Sequence, residues 1–140
     1  MPPGAAGGTP AVVIDTNRVL DLWLFDDPRV DALRDAIARG GARWLAQPAM
    51  REELARVLGY PAVLAQLARR QRTADVVLAA FDRWSHPVPA ADPAPVRCRD
   101  PDDQIFIDLA VAWRARLFSK DLAVLALARR LAPLGVTVER

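Results

Sequence analysis

The stretch Ala11-Val12-Val13-Ile14-Asp15-Thr16-Asn17 decides the fold of this chain. Four apolar residues in a row have the length and character of a buried strand, and an aspartate closes them. Leu117-Phe118-Ser119-Lys120-Asp121 gives a second strand with an aspartate just past it. In an open parallel α/β sheet, ligands bind beyond the carboxyl ends of the strands. Asp15 and Asp121 therefore stand where such a sheet places its chemistry.

Around these two segments, helical and extended patterns alternate. After Asp27-Pro28, where Pro28 suits a first helical position, Val30, Leu33, Ile37 and Ala38 recur at helical spacing until Gly40-Gly41 stops them. Residues 43 to 46 read as a second strand. Over residues 48 to 59, Met50, Leu54, Val57 and Leu58 form one apolar stripe. Glu53 falls inside that stripe, whereas Glu52 is turned roughly 100° away toward solvent. Helices over about 61 to 70 and 73 to 84, the second with Thr73 as N-cap, predict a helical arm.

Residues 86 to 99 carry four prolines and no helical period, and read as an ordered surface connection. Asp100 can cap the next helix, Pro101 takes its first position and Asp103 lies in its first turn, with the helix running to about Arg114. A strand over 116 to 119, a helix over about 121 to 131 and a strand over 136 to 138 complete the pattern. The alternation predicts a parallel sheet covered on both faces, in one domain over residues 11 to 140 behind a flexible segment at 1 to 10.

At 140 residues and 52% hydrophobic composition, the chain is one ordinary domain with enough apolar material for a core. The single cysteine, Cys98, excludes an internal disulfide framework and a cysteine-rich zinc site, and reads as a packing residue in a reduced compartment. No stretch reaches the roughly 18 to 20 apolar residues of a spanning helix, and the first ten residues lack a basic start and an apolar centre. The expectation is a cytoplasmic protein without a membrane partner. Eighteen arginines against one lysine, at net charge +2, lean toward phosphate, for which arginine is the better bidentate partner. The same abundance of Arg and Ala also follows from the composition of a source genome.

Asp15, Glu53, Asp103 and Asp121 each have a plain structural explanation when taken singly. Asp15 suits a strand-end turn, Glu53 could pair with Arg56, and Asp103 and Asp121 are carboxylates at helix starts. If the helices carrying Glu53 and Asp103 pack at the same sheet edge, all four converge. Such carboxylates repel and raise one another's pKa unless a cation neutralises them. An oxygen-only set suits Mg²⁺ or Mn²⁺, whereas Zn²⁺ favours nitrogen and sulfur.

Val13-Ile14-Asp15-Thr16-Asn17, Glu53-Leu54-Ala55-Arg56-Val57-Leu58, Asp100-Pro101-Asp102-Asp103 and Ser119-Lys120-Asp121 together resemble the successive motifs of PIN-domain ribonucleases. The resemblance covers residues 11 to 128 and is nearest to the branch described as toxins of bacterial toxin–antitoxin systems. It implies a three-layer α/β/α sandwich with a central parallel sheet and a Mg²⁺- or Mn²⁺-dependent endoribonuclease acting on single-stranded RNA. By motif position it implies Asp15, Glu53, Asp103 and Asp121 as the catalytic residues, with Asp15, Asp103 and Asp121 on the metal. Asn17 would steady the site through its side chain, and Ser119 occupies a position the family gives to Thr or Ser. RNA, a cognate antitoxin protein and a second copy of the chain are the partners it implies. The alternative is a PIN-like domain that binds RNA or a partner without turnover.

On the helical wheel Asp102 lies nearer the apolar stripe of Ile105, Phe106, Leu109 and Trp113 than Asp103 does, so spacing leaves Asp100, Asp102 and Asp103 all open; the family pattern selects Asp103. Asp108, on the opposite face, reads as solvated. His86 lies in the proline-rich connection, which gives a histidine-based mechanism little support. Arg69, Arg70 and Arg72 could contact RNA phosphates or form a solvated face. Trp23, Trp44, Trp84 and Trp113 read as core or interface residues. A phosphatase of the haloacid dehalogenase type would need an aspartate where Asn17 stands. Receiver domains, in which Lys120 would match a late lysine, need an acidic pair near the first strand and lack the helical arm.

Overall fold

The computed structural model describes residues 8–140 of the chain. Strand β1 (Ala11–Ile14) is the middle of a five-stranded sheet in the order β3-β2-β1-β4-β5. Its neighbours are β2 (Arg43–Ala46), β3 (Ser85–Pro87), β4 (Arg116–Phe118) and β5 (Thr137–Glu139), and every pairing is parallel. All four residues of β1 are buried, as the central strand of a sheet covered on both faces must be.

The helices are α1 (Thr16–Trp23), α2 (Asp31–Ala38), α3 (Pro48–Leu58), α4 (Pro61–Arg69), α5 (Ala74–Trp84), α6 (Gln104–Trp113), α7 (Leu122–Leu125) and α8 (Ala128–Leu131). Right-handed crossovers that step from β1 to β3 in one direction and from β4 to β5 in the other put α1 to α5 on one face and α6 to α8 on the other. The result is the three-layer sandwich. Its core is one cluster that includes Val12 and Val13 of β1, Trp44 of β2, Leu54 of α3 and Ile107 and Leu109 of α6. Trp44 stacks on Trp23 at 5.1 Å between ring centres and meets Phe81 edge-on at 5.0 Å, so two of the tryptophans are core anchors. Gly135 ends the chain's last turn at φ +86°, and a Cβ there would lie 3.0 Å from the Arg114 side chain, so any other residue would be strained and would displace Arg114.

Several elements differ from the sequence reading. Helix α1 was not anticipated; Asp15 caps it by accepting the Asn17 N–H, and the apolar run before Asp15 masked the turn into a helix. The connection at 86 to 99 begins with strand β3, where Pro87 ends the strand on the sheet's outer edge, where a missing N–H is tolerated, and the ladder continues as Val88 N–H donates to Ala46 O at 3.0 Å. Ala94 and Val96 of the same connection are buried against the core. Asp108 is not merely solvated: it accepts from Ala94 N–H at 2.9 Å and Gln104 Nε2 at 2.8 Å, and so pins that connection to α6. The expected helix over 121 to 131 is two short ones, and the last strand sits one residue later.

Of the flexible segment expected at 1 to 10, residues 1 to 7 lie outside the described residues. Pro10 O accepts Arg43 N–H at 2.8 Å, so this segment's end joins the sheet.

Candidate metal centre

Chain direction brings the first two carboxylates to the same edge. β1 and β4 are parallel neighbours, so the residues that follow them, Asp15 and Ser119 to Asp121, emerge side by side. Asp15 N–H donates to Phe118 O at 3.0 Å, extending the ladder to the site itself. Asp15 Oδ1 accepts from Asn17 N–H at 2.9 Å, and Oδ2 accepts from the Ser119 hydroxyl at 2.6 Å. Both groups are buried. Burial pushes the Asp15 pKa up, the Ser119 and Asn17 bonds hold it down, and Asp121 and Lys120 act on it with opposite signs.

The Ser119 oxygen also accepts the Asp121 N–H at 3.1 Å, while Asp121 Oδ1 caps α7 through Ala123 N–H at 2.8 Å. Ser119 is thus the joint between the two aspartates. Asp103 approaches from the 3₁₀ turn Pro101–Asp103 that precedes α6. That turn, with three residues per turn, is why an α-helical wheel misjudged Asp102: it is exposed and gives only its N–H, to Asp100 Oδ1 at 3.0 Å.

Carboxylate oxygens of Asp100, Asp103 and Asp121 lie within 4.8 Å of one another. Asp103 Oδ2 is buried without a hydrogen-bond partner. Burial, followed by the charges of Asp121, Asp15 and Asp100 and a hydrogen bond to Asp121 that only protonated Asp103 can donate, pushes the Asp103 pKa up to about 7. Three converging hard oxygen donors, one of them a carboxylate with a buried oxygen that lacks a partner when ionised, fit a divalent cation of the Mg²⁺ or Mn²⁺ type, which would cancel the repulsion. The trio the fold brings closest therefore includes Asp100, whereas the expected metal ligand Asp15 stands beside it, already braced by two donors.

Glu53 reaches the same edge from α3. Thr16 Oγ1 donates to Glu53 Oε2 at 2.8 Å, tying α3 to the start of α1. Burial raises the Glu53 pKa, and Thr16 opposes this. The Asn17 side chain is exposed and makes no hydrogen bond among the described residues, whereas Thr16 holds Glu53 in place.

Sequence reasoning also missed a cationic flank. Arg18 and Asp21, both buried in α1, pair at 2.9 Å, and Lys120 Nζ reaches Asp21 Oδ2 at 2.7 Å. Their i, i+3 spacing was a legible signal only once α1 is known to be a helix.

Arg70 and Arg72 do structural work. Arg70 donates to Phe25 O at 3.1 Å, while Arg72 donates to Trp23 O and Leu24 O at 3.0 and 3.1 Å and pairs with Asp26. Both guanidinium groups clamp the helical arm to the end of α1 and the loop after it; Arg69 and Arg70 are exposed. His86 lies in β3, away from the carboxylates.

A family model described as PIN domain matches residues 11–118 of the chain, a span that takes in Asp15, Glu53, Asp100 and Asp103 and stops just short of Ser119 and Asp121. No curated protein matches it.

Proposed function

This chain belongs to the PIN-domain family, and from that premise we propose that it is a Mg²⁺- or Mn²⁺-dependent endoribonuclease that hydrolyses phosphodiester bonds of single-stranded RNA. The family is one of nucleases, and the acidic cluster could hold a metal. The observation that carries the proposal is the convergence of Asp100, Asp103 and Asp121, whose carboxylate oxygens lie within 4.8 Å of one another.

Asp103, Asp121 and Asp100 would hold the cation. Asp15 borders it: a carboxylate has about four lone-pair sites, so the bonds from Ser119 and Asn17 orient Asp15 without exhausting it. A divalent cation in such a site supplies Lewis-acid polarisation of the phosphate and makes a coordinated water more acidic. Glu53 is the base. Its raised pKa makes it a better proton acceptor near neutrality, and Thr16 fixes one of its oxygens while leaving Oε1 for the attacking water. Glu53 takes a proton from the water as its oxygen adds to phosphorus, the bond to the 3′ oxygen breaks and that oxygen takes a proton from solvent, leaving 5′-phosphate and 3′-hydroxyl ends; Glu53 then returns its proton to solvent. Lys120, anchored by Asp21, adds positive charge beside the anionic phosphate.

The likeness of the motifs to the toxin branch extends the proposal to a toxin restrained by a cognate antitoxin, acting in the cytoplasm and forming a homodimer. The test is digestion of labelled single-stranded RNA with Mg²⁺, Mn²⁺ or EDTA, comparing wild type with Asp121→Asn. Cleavage that persists in EDTA or in the variant overturns the reading.

A further inference from the structure

The helices after β4, α7 and α8, contact β5 from the face opposite α2, so α2 borders a groove on the side of β4 and β5 that they leave open. Leu33 and Phe118 are apolar residues lining it, and its charged lining side chains are Arg29, Arg39, Arg116 and Arg140, with no Asp or Glu among them. Arg29 pairs with Asp27 and Arg116 with Glu139 outside the lining, while Arg39 and Arg140 pair with no acid among the described residues.

Two backbone hydrogen bonds tie the groove's lining to the acidic site and its cationic flank. Phe118 is hydrogen-bonded through its carbonyl to Asp15 N–H. At the other wall, Asp27 N–H donates to Asp21 O at 2.9 Å, which fixes the Arg29 turn against the residue that anchors Lys120. From Arg29 to Arg39 the wall runs about 15 Å at the helical rise of ~1.5 Å per residue.

We propose that this groove is the track on which the backbone of a single-stranded RNA lies as it leaves the acidic site, with its phosphates held by Arg29, Arg39, Arg116 and Arg140. The proposal rests on the nuclease reading above. A positively charged groove beside apolar surface is how single strands are followed without reading their sequence. The guanidinium fork suits phosphate, and the pairs to Asp27 and Glu139 orient two of the forks in advance. An acidic protein segment would meet the same charges, but the backbone ties of Phe118 to Asp15 and of the Arg29 turn to Asp21 set the lining beside the nuclease site, which favours RNA.

The test reads binding on the Asp121→Asn form, in which asparagine still caps α7. Arg39→Glu with Arg140→Glu is expected to weaken binding of a long oligouridine about ten-fold or more. It should also flatten the slope of log K against log salt by about 1.4, the loss of two phosphate contacts on a single strand. With Asp121 restored, the double variant keeps metal-dependent hydrolysis of a dinucleotide, which also reports an intact fold, and loses hydrolysis of the long RNA. Unchanged affinity and slope overturn the track, as does equal loss on the dinucleotide. Polyglutamate binding that RNA does not displace assigns the groove to an acidic protein and likewise overturns it. If wild type cleaves nothing while RNA binding still depends on Arg39 and Arg140, the track stands and the hydrolase reading falls.

Discussion

The hydroxyl of Ser119 donates to Asp15 Oδ2 at 2.6 Å, joining the ends of β4 and β1 across 104 positions of chain in a fully buried contact. One side chain thereby opposes the rise that burial imposes on the Asp15 pKa and supplies an acceptor for the Asp121 N–H. Ser119→Ala removes both. The expected cost is about 1–3 kcal/mol, because a buried carboxylate and a backbone N–H each lose a partner. Loss of the strongest influence lowering the Asp15 pKa also moves the acid limb of RNA cleavage to higher pH. Ser119→Thr retains the bond. Thermal melts and a pH–rate profile check this, and an Ala variant as stable as wild type contradicts it.

Metal-free protein should lose stability as pH rises. Asp103 has a pKa of about 7 when folded against 3.8 as a free side chain, and burial raises Asp15 and Glu53 in the same direction. The folded state therefore binds more protons than the unfolded one between about pH 4 and 7, and its advantage fades as pH climbs through that window. Solvent screens the half-exposed Asp103, so the expected loss is on the order of 1 kcal/mol, about 3 °C in Tm. Millimolar Mg²⁺ or Mn²⁺ should reverse the slope. Melting curves from pH 4 to 8 in EDTA that show no decline would count against a crowded acidic site.

Asp103→Asn separates stability from function. It deletes one of the repelling charges and keeps the shape, so the metal-free protein becomes more stable near pH 7 while the metal-induced rise in Tm and RNA cleavage are both lost. A variant that melts lower than wild type in EDTA and still responds to metal is the contrary result.

Thr16→Val keeps the volume and deletes the hydroxyl that orients Glu53. Cleavage should fall about ten-fold or more, within the roughly 10²–10⁴-fold contributed by a positioned base. The metal-induced Tm shift should persist, because Asp100, Asp103 and Asp121 are untouched. Equal loss of both readouts would place Thr16 in the metal site instead.

Arg72→Ala should destabilise the fold by about 1–3 kcal/mol, since Trp23 O and Leu24 O lose a charged donor and Asp26 its partner. RNA affinity of the folded variant should remain that of wild type, as binding titrations can establish.

Much of this was legible in residue order. Asp15 and Asp121 could be placed because apolar runs end at them, and Glu53 because it interrupts a helical stripe. Asp102 could not be separated from Asp103, because the deciding segment is a 3₁₀ turn and its periodicity differs from the wheel used to read it. Asp108 and Arg72 were misjudged for another reason: their partners lie in irregular segments, at Ala94 and at Trp23 to Asp26, which no period predicts.

By itself the sequence determined four of the five strands and most helices, because apolar spacing, prolines and capping residues act over a few neighbours. The tertiary structure alone decided which carboxylates meet. Parallel pairing of β1 with β4 set Asp15 against Ser119, and the turn before α6 delivered Asp100 and Asp103 to Asp121. Those distances depend on how distant segments pack, and electrostatic repulsion, desolvation and the orphaned Asp103 oxygen exist only once they have packed.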